Sequence, residues 1–318
     1  MQTQNSVNWS GKRIGEYTIE SLLHENSFAF VVKATGADGT PKVIRIARGS
    51  ASQMPMAQRS TRYLVTTSQT GTETYAPPGR VAVSMQIDLL QKLAPAQPGF
   101  LENYGEVEGN LFYVMPYYDG QTLEELIAIG KFPLDVFIVD VIRKLIDVVE
   151  PMSHTAARNH GNIKPSHIVV TQKGLQVLSP GVFQDAVTEN GSPVKVALTS
   201  PAYYPFLEPD DKLAIGITLF EGVCKVHPFA GEGAPDLQQR LTPEFAQMLS
   251  LQIQRGMPHL SGLLRFRTPR EIVPSLSIKA EKYMMRSLRL GFTREGRVEP
   301  VRGWSSWEEM RMRLRDVD

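Results

Sequence analysis

Residues 160–168 read His160-Gly161-Asn162-Ile163-Lys164-Pro165-Ser166-His167-Ile168. The amide of Asn162 has no basic lone pair at physiological pH, so it cannot accept a proton as a carboxylate does. Working outward, an amphipathic stretch from Leu134 to about Ala157 precedes these residues, and Leu123–Ile129 is a second helical segment. The character of the chain changes at Asp119-Gly120. Before that point Glu16–Leu23 and Ala29–Ala34 alternate apolar and polar residues as strands do, Gly36–Gly39 supplies a turn, and Lys42–Ile46 and Leu111–Met115 are further strands. Val83, Ile87, Leu90 and Leu93 recur at helical spacing between them. A polar leader, 1–14, is thus followed by a mostly β part, 15–116, and a mostly α part, 117–318, with no internal repeat. Within the β part, 49–79 holds four Ser and six Thr against one acid, Glu73. Such a composition predicts a mobile insertion without a core.

The chain has 318 residues, 42% of them apolar, enough to bury a core in a globular α+β protein. With 34 Lys and Arg against 33 Asp and Glu, the net charge of +1 provides no global field for nucleic acid or an anionic membrane. The single cysteine, Cys224, forms no internal disulfide, and MQTQNSVNWSGKR has no apolar signal-like stretch, so a cytoplasmic setting is expected. No apolar run reaches the roughly 18 residues of a membrane span.

Residues 160–168 resemble the catalytic loop of protein kinases, His-Arg-Asp-Leu-Lys-Pro-x-Asn-Ile, with Asn162 at the base position and His167 at a metal-ligand position. The resemblance extends from about Gly15 to the C-terminus, and the opening Gly11–Tyr17 looks most like bacterial, eukaryotic-like Ser/Thr kinases. It implies a two-lobed kinase-like fold, with an antiparallel β-rich N-lobe carrying one main helix and a larger, mostly α-helical C-lobe. The phosphate loop, Gly-x-Gly-x-x-Gly-x-Val in the family, reads here His24-Glu25-Asn26-Ser27-Phe28-Ala29-Phe30-Val31. All three glycines that let backbone N–H groups approach phosphates are replaced. Arg45, in Val43-Ile44-Arg45-Ile46, stands at the phosphate-binding lysine, and Gln86 stands at its acidic partner, so the ion pair of an active kinase cannot form. The metal-binding Asp-Phe-Gly triplet aligns with Ser179-Pro180-Gly181. With Ser179 and His167 at the ligand positions, no carboxylate or amide oxygen is left for magnesium.

By the same resemblance, His154, His160 and Asp211 are structural anchors of the loop, and Arg302 pairs with Glu208 at the end of the activation segment. Lys164 matches the lysine that contacts the transferred phosphate; two readings stand, residual anion binding or a lysine without a task. Gly161 replaces the arginine that would receive an activation-loop phosphate, so Thr188, Ser192, Thr199 and Ser200 are not expected to switch the protein in the usual way. Three histidines invite a zinc reading, but no thiol or HExxH-like spacing accompanies them, so no metal is expected. The arginines of Arg286–Arg315 are interrupted by glutamates and read as a solvated face, with Trp304 and Trp307 as core anchors rather than stacking platforms.

At the hinge, Met115-Pro116-Tyr117-Tyr118, adenine recognition needs the carbonyl of Pro116 and the N–H of Tyr118, neither of which proline removes. Val31, Val43, Met115, Pro116, Tyr118 and Val169 therefore line an implied adenine cleft, with Arg45 and Lys164 as phosphate contacts; the other reading has these side chains fill the cleft as core. The expectation is a catalytically inactive pseudokinase that binds a protein partner, such as an active kinase or other signalling enzyme, as a scaffold or allosteric regulator, with 49–79 as its contact. The alternative is a nucleotide-binding or slow phosphotransferase protein with a metal-independent ATP pose.

Overall fold

The computed structural model describes residues 9–25, 28–48, 63–66, 73–76, 78–95, 99–155, 159–188, 193–200, 202–204, 210–229, 247–248, 251 and 266–317. They form antiparallel sheets and helices in two compact units, one of residues 1–118 with 182–198 and one of 119–181 with 199–318.

Unit 1 is built on six antiparallel strands, β1 Arg13–Ile14, β2 Tyr17–Glu25, β3 Ala29–Thr35, β4 Pro41–Ala47, β7 Asn103–Val107 and β8 Asn110–Pro116, in the order β1-β2-β3-β4-β8-β7. Period-two alternation assigns their faces. Ile44, Ile46, Phe112 and Val114 join Ile19, Phe30 and Val32 in one cluster. Ala47, Tyr113 and Met115 project to the other side, where Val83, Ile87 and Leu90 of helix α1, Pro78–Leu93, cover them. The last residues of the leader pack with this sheet: Ile14 is buried, and the Trp9 ring lies 5.0 Å from that of Phe30.

The expected structureless connector contains two strands, β5 Tyr63–Thr66 and β6 Glu73–Ala76, and its last two residues open α1. The remaining residues of 49–79 lie outside the described ones. The correction has a physical cause: Tyr, Val and Thr favour strands as well as polar coil. The partner strand comes from more than a hundred residues away. Strands β12 Val182–Thr188 and β13 Pro193–Leu198 pair with each other, and β12 pairs with β5, giving a four-stranded sheet β13-β12-β5-β6.

Unit 2 opens with β9 Gly120–Thr122 and helix α2 Leu123–Ala128, whose capping box joins Thr122 and Glu125. The long helical segment follows as α3 Leu134–Val136, a π-helical stretch Phe137–Val141, and α4 Ile142–Thr155. A 3-10 turn at Pro165–His167 leads to β10 Ile168–Thr171 and β11 Gly174–Val177, which form the sheet β11-β10-β9. Helix α5 Asp211–Cys224 is apolar all round, and twelve of its residues are buried, as befits a central helix. Around it stand α6 Pro269–Ile272, α7 Ile278–Ser287, the β14–β15 hairpin of Leu290–Phe292 and Val298–Pro300, and α8 Trp307–Arg315. Trp304 and Trp307 are buried, and the Trp304 indole N–H donates to Ser287 Oγ at 2.9 Å. Arg311 of α8 bridges Asp147 and Glu150 of α4. Among the described residues no helix is long and apolar enough to cross a membrane.

Helices α5 and α7 approach so closely that a Cβ on Gly216 would lie 2.5 Å from the backbone oxygen of Ser287. Backbone cannot yield as a side-chain tip can. Gly216→Ala is expected to cost about 1–3 kcal/mol of unfolding free energy, measured by urea denaturation against the parent chain.

Candidate functional site

The two units hold the sequence-predicted residues separately. In unit 1, Arg45 stands opposite Val31 on β3 and Tyr113 on β8. Alternation puts it on the sheet side of Val43 and Ala47, and its Nε is buried without a hydrogen-bond partner. Gln86 on α1 is 1% exposed, and its Oε1 accepts from the Tyr113 hydroxyl at 3.3 Å. A neutral amide is buried here at lower desolvation cost than a carboxylate would incur. Met115 is buried in the α1-facing cluster, with Val43 and Tyr118 packed against its edge, while Val31 and Pro116 are half-buried.

In unit 2, the carboxylate of Asp211 organises residues 160–163. It is fully buried and accepts from the backbone N–H of His160, from that of Gly161 at 2.8 Å, and from the Tyr204 hydroxyl at 2.9 Å. The same Tyr204 oxygen accepts from the Ile163 N–H at 2.7 Å. Burial outweighs these donors and pushes the Asp211 carboxyl up to about 6, whereas burial alone pushes the His160 imidazole down to about 3. His160 is therefore neutral near pH 7, and both its ring nitrogens are buried without hydrogen-bond partners.

Asn162 is 6% exposed, and its Nδ2 donates to the Ser179 carbonyl at 2.8 Å. Ser179 has φ of 26°, a left-handed conformation that costs a non-glycine residue roughly 1–3 kcal/mol. The amide thus holds a strained backbone position. Next to it, a Cβ on Gly181 would lie 2.1 Å from the Gly161 carbonyl oxygen, so only glycine fits. Gly181 N–H donates to His160 O at 2.8 Å, and Leu178 N–H donates to His167 O at 2.8 Å. Lys164 and His167 are half-buried, and Val169 is buried opposite Thr122 on β9.

His154 departs from the expected packing role. Its side chain is 72% exposed with Nε2 3.6 Å from Glu150, outside the buried frame, because it falls on the solvent side of α4. Arg302 is exposed, and its expected partner Glu208 lies outside the described residues, as do Ser192 and the side chain of Thr188. The sequence reading missed Tyr204, since nothing in Ala202-Tyr203-Tyr204 signals a hydroxyl that serves two partners. Thr199, read there only as a residue not expected to act as a phosphorylation switch, donates from Oγ1 to Gly161 O at 2.7 Å. Among the described residues no group of three or more His, Cys, Asp or Glu is placed to hold a metal ion.

The site geometry is accompanied by likeness to curated proteins. Over 119 residues the chain is 25% identical to the probable serine/threonine-protein kinase YbdM of Bacillus subtilis, and over 145 residues 24% identical to the probable serine/threonine-protein kinase PknB of Lactococcus lactis. The relationship is protein-kinase-like. These matches take in 37% and 42% of the chain, which spans 46% of the first relative and 23% of the second. No protein-family profile matches the chain.

Two outcomes follow from the geometry of the loop. Tyr204→Phe leaves the buried Ile163 N–H without its acceptor and is expected to cost about 1–3 kcal/mol in chemical denaturation. As pH falls below about 6.5, an unfolded His160 takes up a proton that the folded one refuses until about pH 3, so stability drops through that window. Replacing His160 with Leu removes this loss: from pH 7 to pH 5 the parent should lose about 2 kcal/mol more than His160→Leu, compared by urea denaturation at each pH.

Proposed function

We propose that this chain has a two-lobed kinase-like fold, transfers no phosphate, and acts through a protein partner as a scaffold or allosteric regulator. The observation that carries the reading is the Asn162–Ser179 hydrogen bond. The side chain at the base position is a non-basic amide, and its N–H is already committed to holding the backbone. Gln86 repeats the pattern in unit 1, a neutral group satisfied by a tyrosine hydroxyl where an ion pair would be needed. Asp211, the carboxylate bonded to the loop, has its oxygens occupied by three donors. The likeness to two probable kinases supports the frame and leaves the activity to these substitutions. An active bacterial kinase or another signalling enzyme is the partner class this reading favours.

One observation favours a second reading. The buried Nε of Arg45 lacks a hydrogen-bond partner, and an anionic oxygen would satisfy it. On that reading the chain binds nucleotide phosphate without a metal, with Arg45 as its contact in unit 1.

Thermal unfolding with ATP or ADP, each with magnesium and with chelator, separates the two, alongside a radiolabelled phosphotransfer assay. The inactive interaction protein is expected to transfer no label and to keep its melting temperature in every condition. A ligand at a hundred times its Kd stabilises by about 2.7 kcal/mol, a shift of a few degrees. Such a shift in chelator, abolished by Arg45→Ala, would establish the second reading, and phosphotransfer by the parent chain that requires magnesium would overturn both.

A further inference from the structure

The four-stranded sheet of unit 1 joins stretches far apart in sequence. Strands β12 and β13 form a hairpin running from Val182↔Leu198 to Val187↔Pro193, and β12 extends onto β5 through Val187↔Leu64 and Thr188↔Tyr63. Both feet of the hairpin are fastened in unit 2 to neighbouring residues of one loop. Gly181 N–H donates to the carbonyl of His160, and Thr199 Oγ1 donates to that of Gly161. The chain therefore leaves the loop, pairs with a strand of the 63–76 hairpin, and returns to the same loop. An isolated two-stranded hairpin is marginally stable in water, whereas four paired strands support one another. Neither β5–β6 nor β12–β13 is expected to keep its pairing well alone, which makes their association a two-state element.

We propose that Val182–Leu198 is a strap whose pairing with β5 sets how firmly residues 160–162 are held, so that an event at the 63–76 hairpin is passed along the backbone to Gly161 and Asn162. The mechanism does not depend on the kinase-like reading. It needs only the register of β12 on β5 and the two fastened feet. Binding of a partner to the 63–76 hairpin, or its displacement, would tighten or release a loop whose residues are remote from it in sequence.

Amide hydrogen exchange on the full chain tests the strap. Leu64→Pro removes an N–H from β5, between its two neighbouring strands. Exchange across 182–188 and 193–198 and at Gly181 is expected to rise at least about tenfold, while Val32 and Ile44 in the six-stranded sheet keep their protection. Unchanged exchange in the hairpin, or at Gly181, would overturn the proposal. A second variant guards against a general loss of fold. Leu64→Cys with Val187→Cys places two thiols at directly opposed positions, where a disulfide is within reach. Cys224 is buried, with its thiol pushed up to about 12, and should not compete. The disulfide is expected to form on mild oxidation and to slow exchange at Gly181; no disulfide, or one that leaves Gly181 unaffected, counts against the strap.

Discussion

The Asp211 carboxylate is the constraint on which the loop of unit 2 depends. It lies at the start of α5, where the helix N-terminus favours negative charge, and it accepts from two successive backbone N–H groups. Those donors are buried, so without the carboxylate each would be orphaned at a cost comparable to a lost hydrogen bond. Once His160 and Gly161 are fixed, their carbonyls become available to Gly181 and Thr199, and Asn162 is brought to Ser179. Tyr204 closes the arrangement by linking Asp211 to Ile163. A single buried charge thus orders the loop from both ends.

Two buried positions, Gln86 and Asn162, hold neutral amides, and both amides are hydrogen-bonded. Gln86 accepts from Tyr113, and Asn162 donates to Ser179. Burying a satisfied amide is far cheaper than burying an ion that must be paired. Neither position makes the electrostatic demand that a buried ion would make. Arg45 differs from both amides: its buried Nε has no hydrogen-bond partner.

Local pattern carried much of this structure. The alternation in Ala29–Ala34 and Lys42–Ile46 reports which side chains face each cluster, and Val83, Ile87 and Leu90 mark the covering face of α1. Asp211 was legible only through the motif resemblance, which gave it as the anchor of the loop without naming its donors. What the sequence concealed is non-local. Tyr63–Thr66 reads as polar coil until β12 is set beside it, and no periodicity encodes a pairing across that separation. Tyr204 was hidden for the same reason, since its two partners lie 7 and 41 residues away. His154 shows the converse error: spacing from His160 says nothing about which side of α4 meets solvent.

The π-helical stretch Phe137–Val141 has a consequence for how this chain tolerates change in length. Ile142 N–H reaches back five residues to Phe137 O, so the stretch accommodates one more residue than an α-helical turn. Phe137 there packs where Gly222 of α5 leaves no room for a Cβ, and Leu145, Ile146 and Val149 of α4 are buried beyond it. One residue is about 100° of rotation in an α-helix. The wide turn therefore acts as a phase adjuster, aligning two apolar stripes that an uninterrupted helix would leave out of step.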